Sequence, residues 1–262
     1  VDYQHIRLEQ ADGIATLTMD RPQVMNALSA RSLFEMADAL DRVRDEGDAR
    51  VLLLTGAGRA FCSGADLSTA HAEGAGAADM GAGLESGFNP VLERFRRLPI
   101  PLVCAVNGAA AGGGCGYALA GDIVVAARSA YFLQPFANIG LVPDVGATWL
   151  LPRLISKARA TAMMMLGERV PAEQAEAWGM IYRAVADDEL MTVAREIAAR
   201  LAAGPTIAYG LMRQGIDSCL TSSLSDALAL ERQNQRIAGR TADHAEGVAA
   251  FLEKRRPAFR GA

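Results

Sequence analysis

Two short runs, Arg50-Val51-Leu52-Leu53-Leu54-Thr55 and Leu102-Val103-Cys104-Ala105-Val106, are apolar almost throughout, and a glycine-rich break follows each one. A strand with one wet face alternates polar and apolar residues; these do not, so they read as strands covered on both sides. Asp122-Ile123-Val124-Val125-Ala126-Ala127 is a third such run. Helical spacing separates them: Leu33, Met36, Ala37, Leu40 and Val43 recur behind Ser29, a candidate N-cap, and a second helix is predicted over Phe88 to Leu98. Buried strands alternating with helices imply an α/β core, and the crossovers favour parallel pairing.

The N-terminal run His5 to Leu8, the turn Asp12-Gly13 and Ile14 to Met19 predict a hairpin. Ala70 to Gly87, dense in Ala and Gly, is left between a flap and a helical insertion. Beyond Val145 helices dominate, over Trp149–Leu166, Asp187–Ala202, Pro205–Cys219 and Leu224–Ala238, with Pro171 as an N1 residue and Gly179 as a stop. Asp243 and Glu246 suggest a capping box opening a last helix toward Arg255. The expected organisation is a core over residues 1–200 and a helical region over 201–262 that oligomerises and caps the pocket.

Hydrophobic residues make up 51% of the 262 and charged residues 21%, which excludes a predominantly disordered chain. With 26 basic and 30 acidic residues the net charge is −4, so no overall positive field favours nucleic acid or an anionic membrane. The N-terminus has no leader pattern and no apolar run approaches the roughly 18 residues of a membrane span, so a cytoplasmic location without membrane insertion is expected. Cys62, Cys104, Cys115 and Cys219 lack metal-ligand spacing and read as free core thiols; His5, His71 and His244 form no metal pattern either.

The two glycine breaks carry the first chemical signal. Cys62-Ser63-Gly64-Ala65-Asp66-Leu67 and Asn107-Gly108-Ala109-Ala110-Ala111-Gly112-Gly113-Gly114 each follow a strand and could expose backbone N–H groups to an anion or a polarised carbonyl oxygen. Tight turns explain either one alone. Neither is a dinucleotide fingerprint or a P-loop. Asp144 stands in an apolar segment before a helix: it either caps that helix or is a pocket carboxylate whose proton affinity burial has raised. Asp66 and Asp122, beside glycines, read as acceptors for turn amides. Phe251, Lys254, Arg255 and Arg256 form either a solvated helix end or a contact for a phosphate-bearing ligand.

Taken together, the two glycine segments, the Asp122 region and the ending Phe251-Leu252-Glu253-Lys254-Arg255-Arg256-Pro257 resemble the crotonase, or enoyl-CoA hydratase/isomerase, superfamily along essentially the whole chain. The resemblance implies a spiral of β-β-α units followed by a helical trimerisation region, assembled as a homotrimer or a dimer of trimers. It implies an acyl-CoA thioester substrate, with CoA as part of that substrate and no separate cofactor or metal. Ser63 and Gly113 match the positions whose amides hold the thioester oxygen. Ser63, Gly64, Ala65, Asp66 and Leu67 match the CoA-lining segment, and Phe251 and Lys254 match a basic helix end near the CoA phosphates.

The chain also departs from the family's hydratases. Gly116 and Phe136 stand where their two catalytic glutamates are found, while Asp144 matches the single acid of the family's isomerases. Water addition needs groups that position water and manage protons, so isomerisation is the expected reaction. Ile139-Gly140-Leu141-Val142-Pro143-Asp144, Trp149 to Arg153 and Ala238 to Asp243 resemble the isomerase branch that rearranges ring-1,2-epoxyphenylacetyl-CoA to an oxepin thioester. A 3-enoyl to 2-enoyl shift is the companion reaction. The alternatives are hydration or thioester hydrolysis by nonstandard groups, and acyl-CoA binding without chemistry.

Overall fold

The computed structural model describes residues 2–67 and 79–262. Strands β1 (Ile6–Ala11) and β2 (Ile14–Met19) pair antiparallel across Asp12 and Gly13, whose φ angles of 53° and 74° give the left-handed turn that matches strand twist. Ser29 caps α1 (Ala30–Glu46): its Oγ accepts from the Ser32 amide at 3.2 Å. The predicted apolar runs become β3 (Val51–Gly56), β5 (Leu102–Val106) and β7 (Ile123–Ala127). With β10 (Arg183–Val185) they extend a six-stranded sheet in the order β1-β2-β3-β5-β7-β10, parallel from β2 onward.

A second sheet was not legible in the sequence. β4 (Ala60–Cys62), β6 (Ala109–Ala111), β8 (Tyr131–Leu133) and β9 (Val170–Pro171) pair in the order β4-β6-β8-β9. Two or three residues separate β3 from β4, β5 from β6 and β7 from β8, so each long strand turns at once into a short one. In two of these units a helix follows the short strand: α4 (Gly113–Leu119) after β6 and, beyond a 3-10 turn, α5 (Ala147–Leu166) after β8. This β-β-α repetition stacks two sheets about one core. The second glycine break is thus strand β6 and a helix start.

Between the sheets and solvent lie α2 (Met80–Gly83), a π turn (Leu84–Phe88) and α3 (Asn89–Arg97), which bury Val91 and Phe95. The predicted insertion is helical over these residues; its part over 70–78, like His71, lies outside the described residues. α6 (Ala172–Ala177) has Pro171 as its N-cap, one position before N1. α7 (Leu190–Ala202) crosses β3, β5 and β7 on Leu190, Ala194, Ala198 and Ala202 at four-residue spacing, and the three alanines let the helix lie close to the sheet.

α8 (Thr206–Cys219), α9 (Leu224–Ala238) and α10 (Ala242–Leu252) bury little within the chain: Arg213 alone on α8 and nothing on α9. Two expectations are corrected here. The cap of α10 is Thr241, whose Oγ accepts from the His244 amide at 3.1 Å; Asp243 instead receives the Arg260 and Gly261 amides at 2.6 and 2.8 Å, and Glu246 binds Arg255. The helix also stops at Leu252, before Arg255, and Phe251 is 82% exposed, so it is on no packed face of this chain. α5 begins two residues earlier than Trp149 and breaks at Ser156, where φ is 73°.

Candidate active site

The site is built where β4 and β6 deliver their glycines. Leu28 forms a parallel bridge with Ala65, in which the Leu28 amide donates to the Gly64 carbonyl at 2.8 Å and the Asp66 amide donates to the Leu28 carbonyl at 3.0 Å. Both ladder bonds use the neighbours of Ala65, so its own N–H points away from Leu28. Gly64, at φ 95°, lies close to β6: a Cβ there would stand 3.0 Å from the Ala111 carbonyl oxygen and 3.7 Å from Gly112 Cα. Ala65 therefore runs alongside the start of α4.

This geometry corrects the assignment of Ser63. Its amide donates to the Met25 carbonyl at 3.0 Å and is committed to the fold. The Ala65 amide, one of the residues expected only to line a CoA pocket, has no acceptor among the described residues. Neither has that of Gly113, the first residue of α4, where an N–H finds no partner in its own helix. Asp66 pairs with Arg21 at 2.9 Å and its side chain is 8% exposed, so its carboxylate braces the segment; Leu67 is exposed. Asp122 accepts from the Leu102 amide at 2.6 Å and from Arg213 at 2.7 Å, joining α8 to the sheet. No hydrogen bond or ion pair among the described residues joins Phe251 or Lys254 to the Ala65–Gly113 region.

Asp144 does not cap α5. The N-cap is Gly146, and no side chain serves that end. The Asp144 carboxyl is half-buried, its Oδ1 is enclosed without a hydrogen-bond partner among the described residues, and burial raises its pKa to about 6. Val145, directly after it, packs on the glycines of α4: a Cβ at Gly113 would stand 3.1 Å from Val145 Cγ2, and one at Gly116 would be 2.9 Å from Val145 Cβ and would overlap the Val145 carbonyl oxygen. Position 116 therefore has no room for any side chain.

Aromatic rings lie against the glycines that begin α4. Cβ atoms built at Gly112 and Gly113 would touch Phe136 at 3.4 Å and Phe88 at 3.5 Å. Tyr117, buried on α4, donates to the Phe88 carbonyl at 3.0 Å; burial raises its pKa well above normal, and the nearby Asp144 carboxylate adds to the shift. Burial also lifts the Cys62 and Cys115 thiols to about 12, so they are neutral and inert at physiological pH. Among the described residues no three His, Cys, Asp or Glu side chains gather into a metal site. Phe88, Tyr117 and Val145 were not singled out from the sequence; their roles arise from contacts between distant segments.

Unpartnered amides at Ala65 and Gly113, and a desolvated carboxyl whose neighbour Val145 packs on Gly113, suit the stabilisation of charge on a carbonyl oxygen beside a proton transfer. The sequence model of the enoyl-CoA hydratase/isomerase family matches residues 9–262. The chain belongs to the enoyl-CoA hydratase/isomerase family. It is 48% identical over 250 residues to the 1,2-epoxyphenylacetyl-CoA isomerase of Escherichia coli K12, covering 95% of each chain. It is 46% identical over 261 residues to a Rhodobacter capsulatus protein named "Probable enoyl-CoA hydratase", covering 100% of both. The solved enoyl-CoA hydratase of Bacillus anthracis superposes with a TM-score of 0.92 at 33% identity, over 99% of this chain and 100% of that one. The fold is the crotonase fold, and the chain is an enzyme of CoA-thioester chemistry.

Proposed function

We propose that this crotonase-family enzyme isomerises CoA thioesters, with Asp144 as the acid/base and the Ala65 and Gly113 amides as the oxyanion hole. The observation that carries the reading is the crowding of Gly116 by Val145: the first hydratase glutamate has no place to stand, and Phe136 occupies the position of the second. Asp144 is the carboxyl left to move protons. In a 3-enoyl thioester it removes a proton from C2 while the two amides hold the developing enolate oxygen, then returns a proton to C4, so the double bond moves to C2. With a ring-1,2-epoxyphenylacetyl thioester the same parts support rearrangement to the oxepin isomer, the substrate being of the type named for the Escherichia coli relative. Phe88 and Phe136 keep water from the crevice.

Hydration is the second reading, favoured by the hydratase names of the Rhodobacter and Bacillus relatives. It would use a substrate-held water and Asp144 without the paired glutamates. Incubation of the enzyme with 3-enoyl-CoA, 2-enoyl-CoA and epoxyphenylacetyl-CoA, with products separated by chromatography and then weighed by mass spectrometry, separates the two. Conversion without mass change supports isomerisation, whereas a gain of one water from 2-enoyl-CoA as the sole conversion overturns it.

Residues 201–262 are assigned to assembly, as a trimer or a dimer of trimers, because α8–α10 leave Met212, Ile216, Leu224 and Leu228 exposed. Phe251 and Lys254, at the exposed end of α10, are then available to the CoA phosphates of a neighbouring copy.

A further inference from the structure

Val145 has a backbone that a β-branched residue rarely adopts. Its φ is +46°, in the left-handed region where the branched side chain crowds its own backbone, and it is followed by Gly146 at φ +72°. A residue persists in such a conformation when its surroundings over-determine it, and such residues cluster at functional sites. The surroundings here are specific. Val145 is 1% exposed, and its side chain sits in a slot made by two residues of α4 that have no Cβ, Gly113 and Gly116. Gly146 is held from the opposite side, where a Cβ would meet Leu92 Cδ2 at 2.9 Å.

The slot links the two halves of the chemistry. Gly113 supplies an oxyanion donor, and Asp144, the acid/base, is the residue immediately before Val145. We infer that Val145 is a positioning residue: its side chain, wedged between Gly113 and Gly116, fixes the Asp144 backbone against the helix that carries the oxyanion amide. This rests on the isomerase reading for its kinetic consequence, but not for its structural one. The wedge also explains the single-acid site, because the Val145 carbonyl fills the space in which a side chain at position 116 would begin. Among the described residues, Tyr117 is the titratable neighbour whose ionisation responds to Asp144, its hydroxyl is engaged by Phe88, and no basic side chain among them pairs with Asp144. The environment of its carboxyl is therefore set mainly by how deeply the backbone holds it.

The test uses the full-length enzyme with Val145→Gly, which removes the wedge, and Val145→Ala, which removes only the two γ carbons and preserves the fold if glycine does not. Two quantities are read: kcat and KM on whichever thioester the parent converts, and the titration of the Asp144 carboxyl by carbon NMR. A misplaced acid/base is expected to lower kcat by roughly 10- to 100-fold while KM changes less than about twofold. The Asp144 midpoint is expected to fall from about 6 toward the ordinary carboxylate range as water gains access. A residue that served only stability would lower the unfolding temperature and leave both readings in place. Variants that retain the parent's kcat and the parent's Asp144 midpoint overturn the inference. If the parent converts none of the thioesters, the isomerase reading falls, and the NMR midpoints alone decide the role of Val145.

Discussion

Asp144 carries an unusual combination: a carboxyl oxygen that is enclosed and has no partner among the described residues, and a pKa near 6. As a base it must be ionised, so kcat/KM should rise with pH and level off above about 6, as a pH–rate profile would show. Asp144→Asn should lower turnover by roughly 10²- to 10⁴-fold while thioester binding is retained. The same change should stabilise the fold. A carboxyl whose folded pKa lies above its unfolded value opposes folding once ionised, so stability falls as pH rises from about 4 to about 6. With allowance for its partial solvent access, Asp144→Asn should gain roughly 1–2 kcal/mol at pH 7 and nothing below pH 4, measured by urea unfolding at the two pH values. Gly116→Glu should not install hydratase activity. Its Cβ would overlap the Val145 carbonyl, and a loss of about 1–3 kcal/mol or more in stability is expected, checked by thermal unfolding and a 2-enoyl-CoA assay.

The helices differ in what anchors them. α7 is held by a row of alanines on the sheet, whereas α8 is tied down through one buried cation. Arg213 donates to Asp122 and to the Phe95 carbonyl at 2.9 Å, and also to the Leu98 carbonyl, joining α8 to the end of α3 and the start of β5. Asp122→Ala leaves that guanidinium buried without its counter-charge, and chemical unfolding should show a loss of about 3 kcal/mol. Arg50 plays a similar part, bonding Thr206, the Gly204 carbonyl and the Phe259 carbonyl, so the last residues of the chain are pinned to the turn before β3. Asp122 is expected from the sequence to accept turn amides; the amide it accepts is that of Leu102 at the start of β5, and its partner on α8 is 91 residues away and invisible to local pattern.

For the molecule as a whole, the distribution of apolar surface separates a core from a region that has yet to find its partner. β3 and β5 are buried along their whole length, while α8, α9 and α10 expose Ile216, Leu224, Phe251 and Leu252. Exposed residues of this size on three consecutive helices favour self-association. Sedimentation at micromolar concentration should therefore show a trimer or a hexamer, and a monomer at that concentration would remove the assembly role given to residues 201–262.

Much of this protein follows from local chemistry. The apolar runs had to be buried strands, Ser29 had to begin a helix, Asp12-Gly13 had to reverse the chain, and the glycine breaks had to bring backbone close to something. Burial, capping and left-handed turns act over a few residues, so their signals survive in the linear order. The β4-β6-β8-β9 sheet has no such signal, because strands of two or three residues show no period and are stabilised only by partners elsewhere. The choice between Ser63 and Ala65 as an amide donor depended on which N–H the Met25–Leu28 segment had already taken. The exclusion of a side chain at 116 depended on a carbonyl 29 positions later in the chain. Hydrogen-bond satisfaction and excluded volume are properties of segments brought together, so these decisions exist only once the chain is folded.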